Sequence, residues 1–196
     1  MLRIAHPAPG EYLAYYGRYI DRVGDDLFGA LRAGADITQK LVGSLPESRG
    51  DFRYAPDKWS IKEVLAHLTD CERVFNYRAL RFARKDATPL PGFDENAWTP
   101  QSGASARTIA DLIQEQRAVR AATISFFENL SEEAWGRSGT ANNASMSVRA
   151  AAYVIAGARA STPTSPVFLI AMGFIAVTGL AGAVVAWFKR HHLRGA

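Results

Sequence analysis

The chain has 196 residues, 48% of them hydrophobic, with 23 Lys/Arg, 19 Asp/Glu and a formal net charge of +4. That length allows one domain plus an appendage, and the apolar content is enough for a packed core. The charge distribution argues against a nucleic-acid-binding protein. Residues 1–157 hold 19 basic and 19 acidic side chains, so the surplus is Arg159, Lys189, Arg190 and Arg194, which flank an apolar run instead of forming a patch on a folded face.

In chain order, residues 1–24 read as an N-terminal arm with one short helix, Tyr12 to Val23, ended near Gly24. The arm lacks the apolar run of a secretory signal. Residues 25–45 place Leu27, Leu31, Ile37, Leu41 and Leu45 on one helical face, and Pro46 stops the helix. After a loop punctuated by Pro46, Gly50 and Pro56, Ser60-Ile61-Lys62-Glu63 forms a capping box. The second helix runs to about Arg84 with Ile61, Val64, Leu68, Cys71, Phe75 and Leu80 inward and His67 at the stripe's border.

Residues 85–106 form a long connection, and loops of that length inside a domain are often functional. Thr108-Ile109-Ala110-Asp111 is a second capping box. The third helix continues to about Leu130, with Ile109, Leu112, Ile113, Gln116, Val119, Phe126, Phe127 and Leu130 inward. Residues 131–146 are polar and turn-rich, and the fourth helix starts near Ser147 with Val148, Ala151, Ala152 and Ile155 inward. Four amphipathic helices without a strand pattern predict an all-α four-helix bundle over 25–160.

Several blocks within residues 12–157 resemble the DinB-like, YfiT-type metalloprotein family. They are the run from Phe52 to Asp70 around Trp59 and His67, the run Tyr77–Arg84, the loop Thr88-Pro89-Leu90-Pro91-Gly92-Phe93, Gly139-Thr140-Ala141-Asn142, and Ser147 through Gly157. The resemblance implies an up-and-down bundle that holds zinc or nickel through three histidines, and commonly a homodimer. One ligand falls at His67. The other two fall on the fourth helix as an H-x-x-x-H pair. Relatives include metal-dependent thiol S-transferases and hydrolases, which implies a small thiol or amide substrate.

This chain departs from the family pattern at the two fourth-helix positions, which are Ala158 and Thr162. Alanine cannot ligate, a threonine hydroxyl is a poor neutral ligand for zinc, and a catalytic zinc needs about three protein ligands. The expected centre is therefore degenerate, with His67 a residual ligand or a core-edge histidine and possession of any metal left open. His191 and His192 follow an apolar run that spans roughly 33 Å if helical, far from His67. Cys71 reads either as a small buried hydrophobe or as a reactive thiol. Asp70, Arg78, Asp94 and Glu95 either line the open end of the bundle or lie in solvent. Trp59 packs the start of the second helix opposite Tyr54.

Residues 161–166 read as a linker bearing Pro163 and Pro166. Val167 to Phe188 is uncharged, carries Trp187 near its end, and is followed by a basic tail, 189–196. That pattern predicts a single transmembrane helix; a buried core helix is the other reading. The expectation is a single-pass membrane protein with its bundle on the cytoplasmic side. It is either a degenerate relative of the enzymes or a non-enzymatic, membrane-anchored binding module, unless residues 158–190 mark an interrupted gene.

Overall fold

The computed structural model describes residues 3–160. Thr162, the expected linker 161–166, the transmembrane segment 167–188 and the basic tail with His191 and His192 lie outside the described residues. Among the described residues no helix is long and apolar enough to cross a membrane.

Four long helices form the scaffold: α1 (Leu27–Val42), α2 (Ile61–Ala83), α3 (Ile109–Glu128) and α4 (Val148–Ala160). Each starts where a side chain satisfies an orphan backbone N–H. Asp26 accepts from Gly29 N at 2.8 Å. Both expected capping boxes form, at Ser60/Glu63 and at Thr108/Asp111. Ser147 Oγ accepts from Ala150 N at 3.0 Å.

The packing corrects the simple up-and-down expectation. In that arrangement consecutive helices lie side by side. Here α1 packs on α3 and α4, and α2 packs on the same two, while α1 and α2 make no extended contact with each other. The connections α1→α2 and α3→α4 therefore cross the diagonals of the bundle.

The expected arm helix is also shorter. A 3₁₀ turn, Ala14–Tyr16, runs into a helix of only four residues, Gly17–Ile20, and neither start has a side-chain cap. Without caps, a segment this short is set by tertiary packing more than by its own propensity. The packing comes from α4, whose residues Val148 to Gly157 are buried on every side except Arg149, which is half-buried. A helix apolar all round needs cover on all faces, and the arm supplies the outer cover. Tyr153 Oη donates to Ile4 O at 2.9 Å, Ser147 N donates to Glu11 O at 3.0 Å, and Arg149 Nε pairs with Glu11 at 2.7 Å. A Cβ on Gly157 would meet Tyr19 O at 1.9 Å, so this close approach requires glycine.

Two further differences concern the connections. Residues 138–147 form an antiparallel hairpin, Ser138–Ala141 with Ala144–Ser147, that the absence of a strand pattern did not predict. Its turn residues Asn142 and Asn143 have φ of 51° and 60°, the left-handed pair of a type I′ turn. The 85–106 connection is pinned to this hairpin through Leu90, whose N donates to Thr140 O and whose O accepts from Asn142 N. It also contains a short helix, Glu95–Trp98.

The interior of α2 lies about one residue around from the expected stripe. Leu65, Ala66, Thr69, Glu72, Phe75, Ala79 and Phe82 are buried; Ile61, Val64, Leu68 and Cys71 are half-buried; and Leu80 is 38% exposed. The rotation has a charged cause. Glu72 and Arg120 form a bidentate pair at 2.7 and 3.1 Å, each side chain 2% exposed, and Arg120 Nη1 donates to Leu31 O. The pair joins α1, α2 and α3.

Gly157→Ala should lower stability by about 3 kcal/mol or more through a backbone clash, read as a shifted urea midpoint against Gly24→Ala, where a Cβ meets nothing within 4 Å. Arg120→Met should cost about 3–5 kcal/mol because it leaves a buried carboxylate uncompensated, and the Glu72→Met/Arg120→Met double variant should recover most of it.

Candidate functional site

His67 lies on α2, half-buried, with its imidazole against the indole of Trp59 at a centroid separation of 4.6 Å. Trp59 thus packs on His67, while Tyr54, its expected partner, is 43% exposed. One turn later, the Cys71 thiol sits 3.4 Å from His67 Nε2. The i, i+4 spacing puts both side chains on one strip of the helix. Cys71 is therefore half-buried beside an imidazole, neither a fully buried hydrophobe nor an isolated thiol.

Burial holds the His67 imidazole below its ordinary value of 6.5, with the carboxylates of Glu95 and Asp70 opposing it. Glu95 reaches this region from the short helix of the 85–106 connection, whose N-cap is Asp94. Asp94 accepts from Asn96 N and Ala97 N at 2.9 and 3.2 Å, which assigns it to capping. Asp70 pairs with Arg73 at 3.4 Å, and Arg73 reaches Glu115 of α3 at 2.6 Å. Asp70 thus belongs to an ion network between α2 and α3.

Arg78 is not in solvent. It is 3% exposed, with its Nη2 donating to Pro91 O at 3.0 Å and its guanidinium 5.3 Å from the centre of the Phe75 ring. The tyrosines opposite it were not singled out in the sequence. Tyr16 packs edge-on to Phe75 at 5.5 Å, and burial raises its phenol pKa against the pull of Arg78. Burial and the Tyr15 hydroxyl push Tyr19 up to about 12. The signal was present as Tyr15-Tyr16 and Tyr19, three phenols within five positions of a short arm.

The donor set does not fit a three-histidine centre among the described residues. No group of three His, Cys, Asp or Glu side chains there could hold a metal ion. Position 158, on the half-buried edge of α4, is alanine.

The histidine environment sets a sign for pH dependence. His67 has a depressed proton affinity when folded, so the unfolded chain takes up the proton first as pH falls. Its contribution to stability is complete above about pH 6.5 and is lost progressively below that. The wild-type melting temperature should therefore drop more steeply than that of His67→Gln between about pH 7 and pH 5. Parallel curves in thermal denaturation would remove His67 as the cause.

The family model of the DinB superfamily matches residues 30–157. Among solved structures the fold resembles YfiT from Bacillus subtilis, described as "a probable metal-dependent hydrolase with an unusual four-helix bundle topology". The two share 14% identity at a TM-score of 0.60, covering 80% of this chain and 87% of that one. At that identity the likeness is one of fold. No curated protein matches the chain significantly. The family match spans well over half of the sequence, from α1 to the close-packed glycine of α4, and the chain belongs to the DinB superfamily.

Proposed function

We propose that this DinB-superfamily protein binds a small molecule beside His67 and Cys71, on the strip of α2 next to the tyrosine-bearing arm and the 85–106 connection. In this reading the metal centre implied by its family has degenerated. The observation that carries it is the donor set around His67. One imidazole faces a thiol and an indole, and the α4 position that should supply a second imidazole is Ala158. A single strong nitrogen donor gives neither useful metal affinity nor an activated water. Aromatic, thiol, guanidinium and carboxylate side chains remain, and such a mixture binds organic ligands well.

The anchor is part of the proposal. Residues 167–188 are uncharged and long enough to cross a bilayer, and the adjoining basic tail would hold them there with the bundle on the cytoplasmic side. A second reading is supported by the fold likeness to YfiT. Here the chain acts as a hydrolase or thiol S-transferase on a small amide or thiol, alone or as a homodimer, with its missing ligands drawn from beyond residue 160.

Metal analysis of detergent-extracted full-length protein separates the two. The binding reading expects far less than one zinc or nickel per chain, with no change in His67→Ala. One equivalent that disappears in His67→Ala would establish the second reading. The anchor expects the protein to pellet with membranes and resist alkaline wash; intact protein in the soluble fraction would refute it.

A further inference from the structure

The apolar interior of the bundle is not continuous among the described residues. One cluster of buried side chains gathers the start of α1, the end of α2, Phe127 and the inner residues of α4 from Val148 to Ala156. A second gathers Val42, Leu65, Ala66, Ile109, Leu112 and Ile113 at the opposite end, and among the described residues it includes nothing from α4. On the three helices that run through both, every buried position between the clusters is glycine or polar. On α1, Gly34 and Thr38 separate Leu31 from Val42. On α2, Thr69 and Glu72 separate Ala66 from Phe75. On α3, Gln116, Arg120 and Thr123 separate Ile113 from Phe127.

The bonding within this polar layer leaves the two ends loosely joined. Thr38 Oγ1 donates to Gly34 O at 3.1 Å and Thr69 Oγ1 to Leu65 O at 3.0 Å, each within its own helix. Gln116 is 0% exposed, and both polar atoms of its amide lack a hydrogen-bond partner among the described residues. Such a group bears the cost of desolvation without a compensating bond. The Glu72–Arg120 pair reaches Leu31 O, so its network stays with the first cluster. The second cluster is tied together on its own side. Glu47 accepts from Lys62 Nζ at 2.7 Å and from Ile109 N at 2.9 Å, which fastens the starts of α2 and α3 to the loop after α1.

We infer that the bundle opens along this layer in two stages. The end built on the second cluster separates as one unit while the α4 end stays closed. Proteins open sub-globally in contiguous units where few apolar contacts hold a region to the rest. Trp59 and His67 ride on the separating end, with His67 between Ala66 and Thr69 on α2. The same motion therefore loosens the strip beside His67. The opening stands by itself; its use as a gate to that strip rests on the proposed small-molecule reading.

The test is native-state hydrogen exchange of the full-length protein in nonionic detergent, read by mass spectrometry at several sub-denaturing urea concentrations. Amides at 38–42, 65–68 and 113–116 should share one protection level, about 100-fold below that of 76–82, 121–127 and 149–156, with a weaker dependence on urea. Phe127→Leu, a mild truncation in the first cluster, should speed exchange of the α4 end about tenfold and leave the other end unchanged. Gln116→Leu removes the unpartnered amide at similar bulk and should slow exchange at 38–42, 65–68 and 113–116 about tenfold. The inference fails if all these amides exchange together in wild type, or if Phe127→Leu speeds both ends equally, which is the behaviour of one cooperative unit. It fails also if protection declines gradually along each helix, which is fraying. Faster exchange in Gln116→Leu would show that the amide holds the two ends together and would overturn the weak layer. A full equivalent of bound metal would overturn the degenerate-centre reading without touching the exchange result, and uniform exchange in metal-free protein would sink this inference alone.

Discussion

The Glu72–Arg120 pair is the constraint on which the arrangement of the bundle depends. Two charges withdrawn from water are tolerable only when each satisfies the other, and the extra bond to Leu31 O brings a third helix into register. The pair fixes which side of α2 faces α3. With Glu72 turned inward, Leu65, Thr69 and Ala79 follow it into that interface. His67, Cys71, Phe75, Arg78 and Phe82 then fall on a second strip, centred about 100° around the helix. That second strip meets the arm and the hairpin: Phe75 lies against Tyr16, and Phe82 against Gly139. The candidate site is thus the other inner face of a helix whose orientation is settled by a salt bridge.

Much of the bundle was legible in the sequence because its helices announce their own starts. Ser60/Glu63 and Thr108/Asp111 satisfy backbone donors locally, so short-range chemistry suffices to find them. The inward stripe of α2 was not legible by the same means. A pattern that sorts residues into apolar and polar sends Glu72, Arg78 and Arg120 to the surface, and only long-range partners bring them inside. The hairpin escaped because Ser138–Ala141 and Ala144–Ser147 are mostly small residues, half of them polar, without a strong apolar alternation. Its one local signal was the Asn142-Asn143 turn. Within the site, His67 was found by resemblance. Tyr16 was not, because its importance comes from packing across the arm.

The site chemistry differs from what the three-histidine pattern implies. A metal centre concentrates strong donors on one point. Here the polar groups of α2, from His67 to Arg78, are spread along about three turns, and their neighbours are an indole, a thiol, a phenol and a proline carbonyl. The 85–106 connection closes this strip from the side, held by Leu90 on the hairpin and by Arg78 on Pro91.

The way the arm covers α4 has a consequence for biosynthesis. Ile4 bonds Tyr153, Glu11 bonds Ser147 and Arg149, and Tyr19 rests on Gly157, so the arm is synthesised well before its partners at the far end of the described domain. Helical proteins usually fold quickly because their contacts are local. Here the arm must wait, uncovered, until nearly all of the described domain after it has been translated. The tyrosines of that segment remain open to chaperones or to mispairing throughout that interval.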